Sequence, residues 1–151
     1  MASYLSIIKL DITDIKKILN NWNKTCNLLE KVFRMKLNFN FKNKFIEIIS
    51  PYNIKYNLYM SLKKYFKSLC YGFSVEESSL LIFYESFSIK TLLINSNNKK
   101  KLYFTKSLML GNHGILKRSL ENKTNTKIII NQKYIHIIGT NKNINILMLI
   151  L

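Results

Sequence analysis

Residues 111 to 114 read Gly-Asn-His-Gly and set two of the chain's four glycines three positions apart. Two glycines lack the Cβ atoms that hold a second backbone at a distance. A helix opening directly after them offers unpaired N–H groups and the positive end of its dipole, which together attract an anion. Lys106 before the pair and Lys117 and Arg118 after it bring charge that Asn112 lacks. His113, with an ordinary pKa of about 6.5, can add a proton beside a phosphate. The chemistry on offer is phosphate holding. The plainer alternative is that Gly111 caps a helix, Gly114 turns the chain and His113 is simply exposed.

No other constellation competes with it. Cys26 and Cys70 lie far apart with no CxxC, and only His113 and His136 could join them. That is neither a zinc signature nor a disulfide framework, so each cysteine is expected to pack as a small hydrophobe in a reducing compartment. No nucleophile and base stand together, and the sequence contains no P-loop. The expectation is a protein that is not an enzyme and needs no metal and no cofactor.

Charge points to the partner. The 151 residues carry 24 lysines and arginines against 8 acids, a formal net charge of +16, with 48% hydrophobic and 13% aromatic content. Such a chain can fold around a core, and its excess charge suits a polyanion, nucleic acid before an anionic membrane surface. Abundant Lys, Asn, Ile, Tyr and Phe also fit a bias toward A/T-rich codons, which makes part of the charge incidental. Arg34 and Arg118 are the only arginines. Lysine point charges on phosphates, strongly salt-dependent, are therefore expected over bidentate reading of bases. No secretory signal is evident, and the terminal "INILMLIL" falls well short of the ~20 residues that span a bilayer, so no membrane partner is expected.

The elements that must position the turn follow from periodicity. Ile12, Ile15, Leu19, Trp22, Cys26, Leu29 and Phe33 recur every three or four residues and predict one long amphipathic helix starting near Asp11 or Thr13. "MKLNFNF" and "FIEIIS" predict a hairpin over 35–49, ended by Pro51. A helix over about 54–71 follows, with Leu58, Leu62, Phe66 and Leu69 on one side and Lys63, Lys64 and Lys67 on another. That lysine cluster is either a phosphate-facing stripe or a solvated face. Gly72 suits a helix C-cap, and Ser74 with Glu77 forms a capping box for a short helix to about residue 82. The second half reads as a strand in "FYESFSIKTLLI", a helix in "KLYFTKSLML", the Gly-x-x-Gly turn, a helix in "ILKRSLENKT", a hairpin of "KIIIN" and "YIHIIG", and a closing helix in "NKNINILMLIL". His136, alternating with Ile135 and Ile137, is expected on the polar face of its strand in a structural role.

Strand, helix, Gly-x-x-Gly, helix, strand, strand, helix is an order that resembles the K-homology (KH) RNA-binding domain. The resemblance extends further. "LENKTNTKIIINQKYIHIIGT" holds Glu121, Asn122, Thr124, Thr126 and Ile128, then Lys133, Ile135, His136, Ile137 and Gly139. With "ESFSIKTL", "NNWNKTCNLLEKVFRMKLNFN" and "KSLCYGFSVEESSLL" it is similar, in order and over nearly the whole chain, to the Partner-of-Nob family of small-subunit ribosome assembly factors.

The resemblance implies an α+β fold of tandem KH-type domains. The first, over 11–82, is degenerate and lacks a Gly-x-x-Gly loop; the second, over 83–151, is a type I KH domain that carries it. The implied RNA-binding residues are Lys106, Gly111, Asn112, His113, Gly114, Lys117, Arg118, Asn122 and Lys127. The implied partners are the 3′ end region of the small-subunit rRNA precursor, a Nob-type endonuclease whose final cleavage is assisted or restrained, and small-subunit ribosomal proteins and assembly factors, in nucleus, nucleolus and cytoplasm. The Krr type, also double-KH, is the nearest confusable relative. This chain departs from the family pattern where Asn112 and His113 replace a lysine and an acid, and where Asn125 replaces an arginine. The competing expectation is a structural scaffold with a vestigial loop that works through protein contacts.

Overall fold

The computed structural model describes residues 3–9, 15–94, 114–131 and 133–150. It divides into two compact units, Met1–Phe83 and Tyr84–Leu151.

The first unit runs β1 (Tyr4–Lys9), α1 (Ile15–Asn20), α2 (Trp22–Phe33), β2 (Lys36–Asn40), β3 (Phe45–Ser50), α3 (Tyr56–Tyr71) and α4 (Val75–Phe83). Its three strands form one antiparallel sheet in the order β1-β3-β2. The alternation read from "MKLNFNF" places Phe39 against the core and leaves Lys36 and Asn38 exposed. Ile18, Leu29, Ile46, Ile48, Leu62 and Phe66 close that core between sheet and helices, each of them fully buried.

Two features differ from the sequence reading. β1 was not anticipated at all. The single long helix is two, broken at Asn21, whose side-chain Nδ2 donates to the Lys17 carbonyl at 2.9 Å while its backbone N–H donates to the Ile18 carbonyl at 3.1 Å. The asparagine amide takes a carbonyl that a continuing helix would use, the usual way this residue competes with helical bonding. The apolar stripe survives the break because one turn residue leaves α1 and α2 facing the same core, with Ile18 and Leu29 both inside it. Residues 10–14, including the expected start near Asp11 or Thr13, lie outside the described residues.

The α3–α4 junction is as read. Gly72 sits at φ 103°, in the left-handed region that favours glycine, and donates its N–H to the Leu69 carbonyl at 3.0 Å. The Glu77 N–H donates to Ser74 Oγ and the Ser74 N–H to Glu77 Oε1, both at 3.1 Å, which completes the capping box.

The second unit runs β4 (Phe87–Leu93), α5 (Ile115–Thr124), β5 (Lys127–Ile130), β6 (Tyr134–Thr140) and α6 (Asn141–Ile150). Its sheet order, β4-β6-β5, repeats that of the first unit, with the last strand in the middle and all pairs antiparallel. The helix expected in "KLYFTKSLML" lies outside the described residues. Ile128, Ile137, Ile144 and Leu147 pack sheet to helix.

His136 corrects an expectation. As part of the central strand it is flanked by Thr91 of β4 and Ile129 of β5, and only 3% of it is exposed. Its Nδ1 shares a 2.9 Å hydrogen bond with the Thr91 hydroxyl, and the Tyr134 ring stacks on it with centroids 6.0 Å apart. Its strand is buried on both faces from Ile135 through Gly139, so there is no polar face for it to occupy. The structural role stands.

Candidate nucleic-acid interface

Lys106, Gly111, Asn112 and His113 lie outside the described residues. The described part of the site begins at Gly114, which caps α5 at φ 77° and ψ 21°. That left-handed conformation is what a glycine adopts without strain, and a Cβ built there would meet nothing within 4 Å. The backbone at the mouth of α5 is thus open to an approaching chain. The first turn of α5 carries no acid of its own to offset the positive end of its dipole.

Ile115, Arg118 and Asn122 are spaced i, i+3, i+7 and share one exposed face of α5. Lys117 is half-buried on another side of the helix. Lys127 opens β5, separated from Gly114 by the length of α5, about 15 Å at 1.5 Å per residue. The described basic residues are therefore of two kinds: Lys117 and Arg118 gather at the helix mouth, and Lys127 stands apart from it.

Sequence reasoning passed over Ile115 and Leu116. They are 58% and 50% exposed, side by side in the first turn, where amphipathic patterning would put polar residues. Two aliphatic side chains beside an open backbone and two cations make a surface for flat apolar rings linked by phosphates. The signal in the sequence was the apolar pair directly after the glycine turn, which charge-based reasoning does not register.

Much of the most distinctive motif of the sequence holds the helix in place. The Ile128 N–H donates to Glu121 Oε2 at 3.0 Å, and the Thr126 N–H donates to the Glu121 carbonyl at 3.1 Å. The Thr124 hydroxyl donates to the Leu120 carbonyl at 2.6 Å and lies 2.8 Å from the Thr126 hydroxyl. Asn125 reverses the chain at φ 51°. Gly139 of β6 completes the joint, for a Cβ there would stand 3.0 Å from Thr126 Cγ2 and 3.6 Å from the Asn125 carbonyl. Glu121, Thr124, Thr126 and Gly139 thus pin the end of α5 to the sheet and set the direction in which its open mouth points.

The first unit has the same strand order, and its helix before β2 opens differently. Where Gly114 caps α5, Asn21 stands before α2, whose first residue is Trp22. The Trp22 ring packs edge-on against Phe39, with centroids 5.9 Å apart and planes at 87°. Among the described residues no group of three or more His, Cys, Asp or Glu could hold a metal ion, and no helix is long and apolar enough to cross a membrane.

Residues 86–148 match the family of the Eukaryotic type KH-domain (KH-domain type I), in the version that forms the second such domain of Partner-of-Nob proteins. No curated protein sequence matches the chain. Among solved structures, the chain is similar to Dim2p from Pyrococcus horikoshii OT3, at TM-score 0.70 and 17% identity over 97% of this chain and 87% of that one. It is similar to a chain of the a/eIF2alpha-aDim2p-rRNA complex from the same organism at TM-score 0.69 and 18% identity, over 97% of this chain and 82% of the other. A protein of unknown function from Aeropyrum pernix gives TM-score 0.68 at 15% identity, over 95% and 77%. At such identities the structural likeness establishes fold, and the fold is a tandem of KH units whose second member is type I. The segment 86–148 is thus a KH domain of the Partner-of-Nob type.

Proposed function

We propose that this protein is an RNA-binding assembly factor of the small ribosomal subunit. In this reading it holds the 3′ end region of the small-subunit rRNA precursor and assists or restrains its final cleavage by a Nob-type endonuclease. The observation that carries the reading is the mouth of α5: Gly114 open at positive φ, with Lys117, Arg118 and the exposed Ile115 and Leu116 in the first turn, inside the segment that matches the KH family. A KH loop clamps the backbone of about four nucleotides and leaves their bases to an apolar groove, which these residue types suit. That rRNA accompanies Dim2p in one similar structure supports the choice of RNA. Recognition here draws on backbone access and flanking charge, which is how the site can work with Asn112 and His113 in place of the family's lysine and acid. Small-subunit ribosomal proteins and other assembly factors complete the set of partners, with residence in the nucleus, nucleolus and cytoplasm.

Gly114→Asp tests the loop. The added Cβ meets no neighbour, and aspartate is among the L-residues that best tolerate positive φ, so the change places a negative charge at the site at the cost of some backbone strain, and an unchanged circular dichroism spectrum verifies the fold. Affinity for a single-stranded oligonucleotide of the rRNA 3′ end is expected to fall roughly tenfold or more, equivalent to about 1.4 kcal/mol. Unchanged binding at about physiological salt sinks the RNA-loop reading.

One observation favours the alternative of a scaffold acting through proteins. α6 turns Ile146, Leu149 and Ile150 outward, with Leu149 89% exposed. In that case Leu149→Lys abolishes association with the small subunit while RNA affinity is untouched.

A further inference from the structure

The lysine cluster of α3 belongs to the first unit and has no part in the site just described. Tyr56, Tyr59, Lys63, Lys67 and Tyr71 follow one another at spacings of three and four, so they share one face of the helix. The opposite face, Leu62, Tyr65, Phe66 and Leu69, is fully buried. Lys63 and Lys67 are exposed, and Tyr56 is 73% exposed.

The lysines do not hang free in solvent. The Lys63 ammonium lies 5.8 Å from the centre of the Tyr59 ring, and the Lys67 ammonium 5.9 Å from that of Tyr71. Each pair is a cation–π contact one turn long. The Tyr59 hydroxyl donates to the Ile7 carbonyl of β1 at 2.9 Å, so that ring is fixed from its far end. No acidic residue occurs anywhere in α3. Codon bias does not account for the cluster, because α6, the helix in the same position of the second unit, has a single lysine, no aromatic residue and an aliphatic outer face. The sheet does not demand it either, since the two units share the same strand order.

We infer that the outer face of α3 is a second contact surface for single-stranded RNA, with Lys63 and Lys67 on phosphates and the tyrosine rings as stacking platforms for bases. The inference rests on the RNA reading of the second unit but concerns a different surface. Alternating cations and aromatic rings suit a strand whose charges and π-faces alternate. An acidic protein segment would satisfy the lysines and leave the rings unused. Lysine without arginine makes the surface indifferent to sequence, so it adds affinity without adding selectivity.

The test uses the full chain and a labelled single-stranded RNA of about 20 nucleotides, long enough to leave strand beyond the roughly four that a KH loop clamps. The double variant Lys63→Gln/Lys67→Gln is expected to lower the slope of log affinity against log salt by about 1.4, some 0.7 for each phosphate no longer neutralised. Tyr56→Ala is expected to weaken binding about fivefold or more and leave the salt slope alone, the mark of a stacking interaction removed. Lys63→Arg/Lys67→Arg should bind as the natural chain does. All these side chains lie on the outer face, and unchanged circular dichroism and thermal midpoint verify folding. If the glutamine variant keeps both affinity and slope while Gly114→Asp still weakens binding, the α3 surface is refuted and the loop reading survives. A natural chain that binds no RNA brings down both. Intact RNA binding with lost retention on polyglutamate assigns α3 to an acidic protein and overturns the inference.

Discussion

Tyr65 is fully buried in the core of the first unit, and its hydroxyl lies 2.8 Å from that of Thr25, itself 1% exposed. Burial pushes the phenol up to about 12, with the nearby Glu76 charge adding to the rise and the Thr25 hydrogen bond opposing it. Because the folded value lies above the unfolded value of about 10, the stability is fully present below pH 10. It is lost as the unfolded chain ionises first, by about 2 kcal/mol at pH 12. Tyr65→Phe strands the Thr25 hydroxyl and is expected to cost about 1 kcal/mol at pH 7. It also removes the alkaline loss. Urea unfolding of both chains should therefore show the variant weaker at neutral pH, with the difference shrinking and then reversing between about pH 10 and 11. Parallel curves would mean that Tyr65 ionises normally in the fold.

A second residue-scale expectation concerns Arg34, which closes α2 at φ 54° with its N–H donating to the Glu30 carbonyl at 3.0 Å. An L-residue in this region costs about 1–2 kcal/mol that glycine does not. Arg34→Gly should raise the urea midpoint by the equivalent of about 1 kcal/mol with the slope unchanged.

At the scale of elements, the joint between α5 and β5 decides where the open helix mouth points. Glu121→Ala leaves the part-buried Ile128 N–H without its carboxylate, and a loss of about 1–2 kcal/mol is expected in urea unfolding. Faster hydrogen exchange at the Ile128 amide checks the cause, and Glu121→Gln, which keeps an acceptor oxygen, should recover most of the loss. The sequence shows this joint as a string of residue types without its mechanism. Elsewhere the elements were legible wherever burial falls on one face only. The hairpin of β2 and β3, α3 with its glycine cap, the Ser74–Glu77 box, α5 and α6 all follow from period and caps, while β5 and β6 were legible as two short apolar runs with a polar break between them. β1 was hidden because it exposes Leu5 and Ile7 and buries Ile8 alone, so its apolar residues fall on both faces and show no alternation. The break at Asn21 was hidden because the apolar stripe runs through it. His136 was misplaced because alternation presumes one wet face, and the central strand β6 has none. At the candidate site the charges were legible and Ile115 and Leu116 were not, since exposure of an aliphatic pair depends on what the rest of the chain fails to cover.

At the scale of the whole molecule, the +16 charge resides on 24 basic residues of which 22 are lysines, the arginines being Arg34 and Arg118. Lysine is a strongly hydrated point charge that meets phosphates without a preferred plane, so affinity gained from it appears as counterion release. Contacts at the α5 mouth from Lys117 and Arg118, joined by Lys63 and Lys67 on α3, amount to about four phosphates, and each contributes about 0.7 to the salt slope on a single strand. A total slope near −2.8 follows, and raising salt from about 50 to about 200 mM should weaken binding roughly fifty-fold. Fluorescence anisotropy across that range measures the slope directly. A slope near zero with firm binding would place the affinity in stacking and aliphatic contacts such as those of Tyr56, Ile115 and Leu116, and would reduce the charge excess to composition. A slope much steeper than −2.8 would mean that lysines outside α3 and α5, such as Lys42 and Lys44 at the exposed β2–β3 turn, also touch the strand. Replacing those two with glutamine would then lower the slope by about 1.4, on the same scale as the α3 pair.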